Sequence, residues 1–246
     1  MRALLSMTAV LCSAAIALGD VTYFTNHAAF TDFVSVAGKQ LKGVETFEES
    51  LVGAQAKIPF PNSLQHGVPQ PTFPNGIDAT NLIIQTNITP GPFAAQLNPS
   101  ASPNALWVNG PGFLGSNSVK VGTDEFLDGL FSSLDLIFTS HDKTAIGVDI
   151  STYPGFNAGH NGFFMAVFDT SNVLLGTFVI PGMTPTEPAK NFFGVWSPVP
   201  IGRVNIWGRF DIPQPFAVDN IEMWVPEPTS AALLGTAAAL LLRRRR

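Results

Sequence analysis

Phe163-Phe164-Met165-Ala166-Val167-Phe168, then Asp169-Thr170-Ser171-Asn172, then Val173-Leu174-Leu175-Gly176-Thr177-Phe178-Val179-Ile180: two apolar runs joined by four turn-forming residues. Phe and Val favour the pleated, half-buried surface of a strand. Asp, Ser and Asn bond to their own backbone and favour turns. The stretch therefore predicts a β-hairpin. The same pattern continues on both sides. Before it, Ser133–Thr139 alternates, with Leu134, Leu136 and Phe138 on one face and Asp135 on the other. A turn at Ser140-His141-Asp142-Lys143 leads to Ala145–Ile150, which alternates around Ile146, Val148 and Ile150. After it come Asn191–Trp196, Arg203–Trp207 and Phe216–Trp224. Strands recurring at intervals of roughly 8–12 residues are the mark of an antiparallel β-sandwich.

The N-terminal half is less regular. Val21–Phe24 reads as a short strand. Asn26 is placed to cap one short helix that carries Phe30, Phe33 and Val34 on one face, and Gly38 ends it. Val44–Phe47 reads as the next strand. From Pro59 to Pro111 the chain is rich in Pro, Asn and Gly, and only Leu82–Thr86 and Ala105–Val108 look like strands there. Phe is abundant at 20 residues while Tyr stands at 2, with 22 Gly and 20 Pro, a composition of strands and turns rather than helices.

Both termini carry address-like segments. Arg2 precedes an apolar Ala3–Leu18, and Ala17-Leu18-Gly19 is a small-x-small cleavage site, so residues 1–19 read as a signal peptide. The single cysteine, Cys12, lies inside that leader, behind Val10-Leu11 rather than the small residues of a lipoprotein signal. An exported chain without cysteine must be held by its core, or by a metal. At the other end, Val225-Pro226-Glu227-Pro228 precedes Thr229–Leu242, 14 uncharged residues, and then Arg243-Arg244-Arg245-Arg246. As a helix the apolar run reaches about 21 Å, short of a hydrocarbon core of about 30 Å. The four arginines extend it by reaching the headgroups, and they hold that end on the cytoplasmic side. Pro226 and Pro228 keep the preceding chain extended.

Residues 20–225 form the body, long enough for one sandwich domain. It holds 8 Lys and Arg against 17 Asp and Glu, a balance of −9. That charge argues against nucleic acid, whose phosphates require basic clusters.

The tripeptide Pro226-Glu227-Pro228, the apolar run and the arginines, in that order, resemble the PEP-CTERM sorting tail of bacterial exported proteins. The resemblance implies recognition by the membrane enzyme exosortase, with residues 226–246 as the sorting tail: a transient transmembrane helix with Arg243–Arg246 as its membrane stop. The body supports it. Val21-Thr22-Tyr23-Phe24 with Ala28-Ala29-Phe30, Glu45-Thr46-Phe47-Glu48, Asn191-Phe192-Phe193-Gly194-Val195-Trp196-Ser197 and Ala217-Val218-Asp219-Asn220-Ile221 resemble segments of many PEP-CTERM proteins. This implies a jelly-roll-like sandwich similar to carbohydrate-binding modules, and a location at the cell surface or in the extracellular matrix. It implies no activity.

The residues offer several chemistries. No Gly-x-Ser-x-Gly elbow is present, and no cysteine remains in the body as nucleophile. His141-Asp142, His160, His27 and His66 lack the close spacing of a zinc site. Glu45, Glu48, Glu49, Asp135, Asp149 and Asp219 could supply a glycoside hydrolase with its facing carboxylates, but spacing cannot say which of them face. The jelly-roll resemblance implies a structural calcium between the first and last strands, for which Glu48 and Asp219 are the candidates. Sugar stacking calls for exposed aromatics, and Trp107, Tyr153 and Phe156 are the candidates, with Trp196 and Trp207 assigned to the core. The expectation is an exported, non-catalytic matrix protein associated with exopolysaccharide, with exosortase and the secretion machinery as partners. A calcium-dependent, lectin-like module and a cryptic glycoside hydrolase remain as alternatives.

Overall fold

The computed structural model describes residues 21–50, 56–59, 62–88, 105–109, 118–122, 132–152, 163–180, 190–208 and 216–227. The leader, Tyr153, Phe156, His160, Pro228 and Arg243–Arg246 lie outside them. Among the described residues no helix is long and apolar enough to cross a membrane.

The elements are β1 (Thr22–Phe24), α1 (His27–Val36), β2 (Lys39–Glu45), β3 (Ala56–Pro59), β4 (Leu64–Gln65), β5 (Leu82–Ile88), β6 (Ala105–Asn109), β7 (Ser118–Gly122), β8 (Ser132–Phe138), β9 (Ala145–Thr152), β10 (Phe163–Asp169), β11 (Leu174–Ile180), β12 (Lys190–Trp196), β13 (Ile201–Gly208) and β14 (Phe216–Pro226). They form two antiparallel sheets. One has eight strands in the order β1-β12-β9-β14-β7-β6-β3, with β2 also paired to β14. The other has six, in the order β11-β10-β13-β8-β5-β4. From β8 onward the chain passes back and forth between the sheets. The expected hairpin is present as β10 and β11, and Asp169 Oδ1 accepts from Ser171 N and Val173 N at 2.8 Å to shape its turn.

The core lies between the sheets. Ile146, Val148 and Ile150 of β9 and Val218, Ile221 and Met223 of β14 meet Leu134, Leu136 and Phe138 of β8 and Val204 and Ile206 of β13. These are the positions that alternation assigned to the interior.

Asn26 caps α1 through Oδ1, which accepts from Ala29 N at 2.9 Å. Phe30 and Val34, one turn apart, are buried with Ala145 and Trp224 in a second cluster on the outer face of the eight-stranded sheet. Gly194 permits this close approach, because a Cβ there would lie 2.4 Å from Phe30 Cδ2. Phe33 sits at the rim of that cluster, 37% exposed, against the rings of Phe24 and Trp196.

Three expectations change. The second strand runs Lys39–Glu45, not Val44–Phe47, because Phe47 adopts φ 57° and leaves the sheet. Strand β4 lies within the stretch read as loop, β3 just before it and β7 just after it, paired respectively with β5, β6 and β6. Trp207 is not part of the core between the sheets. Val204 and Ile206 face inward, so Arg203, Asn205 and Trp207 alternate onto the opposite side.

Candidate functional site

The outer face of the six-stranded sheet collects the side chains of most chemical interest. Register places them in rows that cross the strands. In one row Leu174 of β11, Phe168 of β10, Arg203 of β13, Ile137 of β8, Ile83 of β5 and Gln65 of β4 stand side by side. All six are exposed or half-exposed. Six strands about 4.8 Å apart make this strip roughly 24 Å long. In the next row Asn205 and Asp135 stand opposite each other, and in the third Trp207 faces Ser133. These four are buried.

A bonded network fixes the polar members. Asn205 Nδ2 donates to Asp135 Oδ1 at 2.6 Å and to Ser133 Oγ at 3.0 Å. Arg203 Nη1 donates to Asp135 Oδ1 at 3.1 Å, and its Nε donates to Asn172 Oδ1 at 3.1 Å. Asn172, at φ 62° in the β10–β11 turn, is positioned by the Asp169 bonds already described. The Arg203 Cζ lies 3.9 Å from the Phe168 ring centroid, a cation–π contact. The guanidinium is therefore held on three sides. Two of its five N–H groups are used in these bonds. Beside it, Phe164 stacks on Trp207 with centroids 5.4 Å apart and 16° between planes. Asn205 Oδ1 and Trp207 Nε1 are buried without a hydrogen-bond partner.

The other candidates are distributed elsewhere. Trp107 lies in β6, opposite Lys57 and Lys120 in register; its side chain is outside the described residues. Trp196 packs at the edge of the α1 cluster. Asp219 is fully buried in β14. It stands opposite Asp149 in register, and Asn220, at φ 47° in a bulge, donates through Nδ2 to Asp149 Oδ2 at 2.8 Å and to Asp219 Oδ2 at 3.3 Å. Glu48 is exposed in the turn after β2. Antiparallel pairing of Glu45 with Ile221 carries Glu48 and Asp219 to the same end of the β2–β14 pair. Calcium needs six to eight oxygens. Among the described residues no three His, Cys, Asp or Glu side chains gather where they could hold a metal.

Glu45, opposite Ile221, is the acid with the most unusual surroundings. It is fully buried, and its two carboxyl oxygens accept from Phe47 N and Ala79 N at 2.8 Å. Its neighbour Glu49 accepts from Asp78 N at 3.2 Å. Burial, reinforced by the charge and hydrogen bond of Glu49, pushes the Glu45 carboxyl up to about 8 against the pull of the two backbone donors. Its protonated form is therefore favoured near neutral pH, and the two backbone bonds tie Ala79 and Phe47 to the end of β2. The described histidines are dispersed. His27 Nε2 lies 2.6 Å from Glu222 Oε1, His66 Nδ1 lies 3.0 Å from Ile77 O, and His141 occupies a turn at φ 55°.

The arrangement defines a two-sheet antiparallel β-sandwich with one outer face closed by a helix and one carrying a polar and aromatic array. No family model matches the chain, and no curated protein matches it. Among solved structures it is similar to the K2 cleaved adhesin domain of Lys-gingipain, at 13% identity and a TM-score of 0.39 over 76% of this chain and 98% of that one. It is also similar to a variant of CBM29-2, a family 29 carbohydrate-binding module, at 9% identity and a TM-score of 0.34 over 66% and 89%. At these scores no ligand is carried over.

Proposed function

We propose that this is an exported, non-catalytic sandwich protein, sorted by a PEP-CTERM tail and displayed at the cell surface or in the extracellular matrix in association with exopolysaccharide. The observation that supports it most is the junction between fold and tail. Strand β14 pairs with β9 on one edge and with β7 and β2 on the other, and its last residue is Pro226 of the motif. Pro226 stands opposite Lys39, and Glu227 N donates to Gly38 O at 3.0 Å. The domain thus runs directly into the motif, with no linker between them. The test is a chain carrying Pro226→Ala, Glu227→Ala and Pro228→Ala. It should stay in the membrane fraction at full length. Release and trimming as in the wild type would contradict the reading.

A second reading, a lectin-like module with a defined glycan site, is favoured by the bonded polar and aromatic array on the six-stranded sheet. Sedimentation with the producing organism's own extracellular polysaccharide, with calcium and with chelator, separates it from display alone. Saturable binding supports the module. Absence of binding in both conditions leaves display.

A further inference from the structure

Beyond the reading that this protein associates with exopolysaccharide, and resting on it, we infer that the strip Leu174–Phe168–Arg203–Ile137–Ile83 binds a neutral polysaccharide chain, with Arg203 as its central hydrogen-bond donor. Ligand sites are mostly apolar, with a few polar groups placed to fix orientation. This strip has that composition: apolar side chains from four of the five strands that it crosses, interrupted by one guanidinium.

Arg203 is not a free surface cation. Asn172, Asp135 and the Phe168 ring fix its plane before any ligand arrives. A side chain ordered in advance loses little further entropy on binding. Its remaining N–H groups suit hydroxyl or ether oxygens.

Charge selects among polysaccharides. Asp135 neutralises Arg203 within the strip, and the body as a whole carries 8 basic against 17 acidic residues, which repels a polyanion. The length, roughly 19 Å across five strands, suits a chain rather than a single sugar.

The test is native affinity electrophoresis of the full chain in mild detergent. Gels are cast with hydroxyethylcellulose, with galactomannan, with polygalacturonate, or with no polymer. At least one neutral polymer should retard the wild type, and polygalacturonate should not. Arg203→Ala should weaken retardation at least tenfold. Because that change also strips a partner from Asp135, Leu174→Asp and Ile83→Asp serve as second probes. Both side chains are apolar and at least partly exposed, and both variants should lose retardation while keeping the wild-type melting temperature. Val36→Asp, on the highly exposed end of α1, should be retarded normally. Retardation of the strip variants equal to wild type would overturn the strip while leaving glycan association standing. Retardation by polygalacturonate alone would overturn the neutral class. Failure of every polymer, together with failure to sediment with the organism's own polysaccharide, would remove the association itself.

Discussion

The two outer faces of the sandwich are built on opposite plans. On the eight-stranded sheet, α1 lays Phe30 and Val34 against Ala145 and Trp224, and aromatic rings of Phe24, Phe192 and Trp196 seal the edge. Polar groups there serve that packing: Glu222 joins His27 to Trp224, accepting from Trp224 Nε1 at 3.0 Å. On the six-stranded sheet no described helix lies across the strands. Its centre is a hydrogen-bonded set of Asp135, Asn205, Ser133 and Arg203, beside a strip left open to solvent. An apolar face that finds a cover within its own chain is structural. A polar face that is ordered yet retains unsatisfied groups has capacity for a partner.

This contrast can be broken by mutation. The largest effect is expected on the helix face. Phe30→Ala removes the ring that joins α1 to the sheet, and should cost about 3–5 kcal/mol in urea unfolding. A loss under about 1 kcal/mol would show that α1 does not close that face.

The next effect belongs to the interior that both faces share. Glu45 holds its proton more tightly folded than unfolded, its carboxyl standing near 8 rather than 4.5. Below about pH 4.5 both states keep the proton. Between there and about 8 the unfolded chain releases it and the folded chain does not, so stability falls as pH rises, then levels off. At about 1.4 kcal/mol per unit over those roughly 3.5 units, the decline should reach at most about 5 kcal/mol. Glu45→Gln should flatten it. A profile that is flat in the wild type, or unchanged in the variant, would remove Glu45 as its source.

On the polar face, Asp135→Ala leaves Arg203 without its carboxylate and Asn205 without its closest acceptor. Arg203 is partly exposed, so the loss is smaller than for a fully buried pair, about 2 kcal/mol. Asp135→Asn should recover part of it. The smallest effect returns to the helix face. His27 is 58% exposed, and His27→Ala should cost under about 1 kcal/mol despite its contact with Glu222. A larger loss would mean that the helix face also depends on its polar contacts.

Much of the sandwich was legible in the sequence, and the reasons are local. Leu134, Leu136 and Phe138 alternate because one side of β8 faces the core. Asp169 announces the hairpin turn because its side chain accepts from Ser171 N and Val173 N, and Asn172 because it tolerates φ 62°. By contrast, β2 exposes most of its residues and pairs chiefly through backbone, so its start carries no apolar signal. Strands β3 and β7 are short and lie between Pro- and Gly-rich stretches.

The site was less legible. Trp207 looked like core because it sits in a strand. The alternation of Val204 and Ile206 already placed Arg203, Asn205 and Trp207 on the other side, and that signal was available. Asp135 was correctly set opposite the apolar residues of β8, but its partnership with Arg203 spans 68 positions and depends on strand order. No spacing in a single sequence encodes it. Trp107, Tyr153 and Phe156 remain candidates whose side chains fall outside the described residues.

The most direct measurement is a methyl NMR titration of the full chain in detergent with the producing organism's extracellular polysaccharide. Methyl signals of Ile83, Ile137 and Leu174 should shift saturably together, while Val36 and Leu41, on α1 and β2, should not move. Shifts confined to Val36 and Leu41, with the strip silent, would contradict the assignment of the six-stranded face as the binding surface.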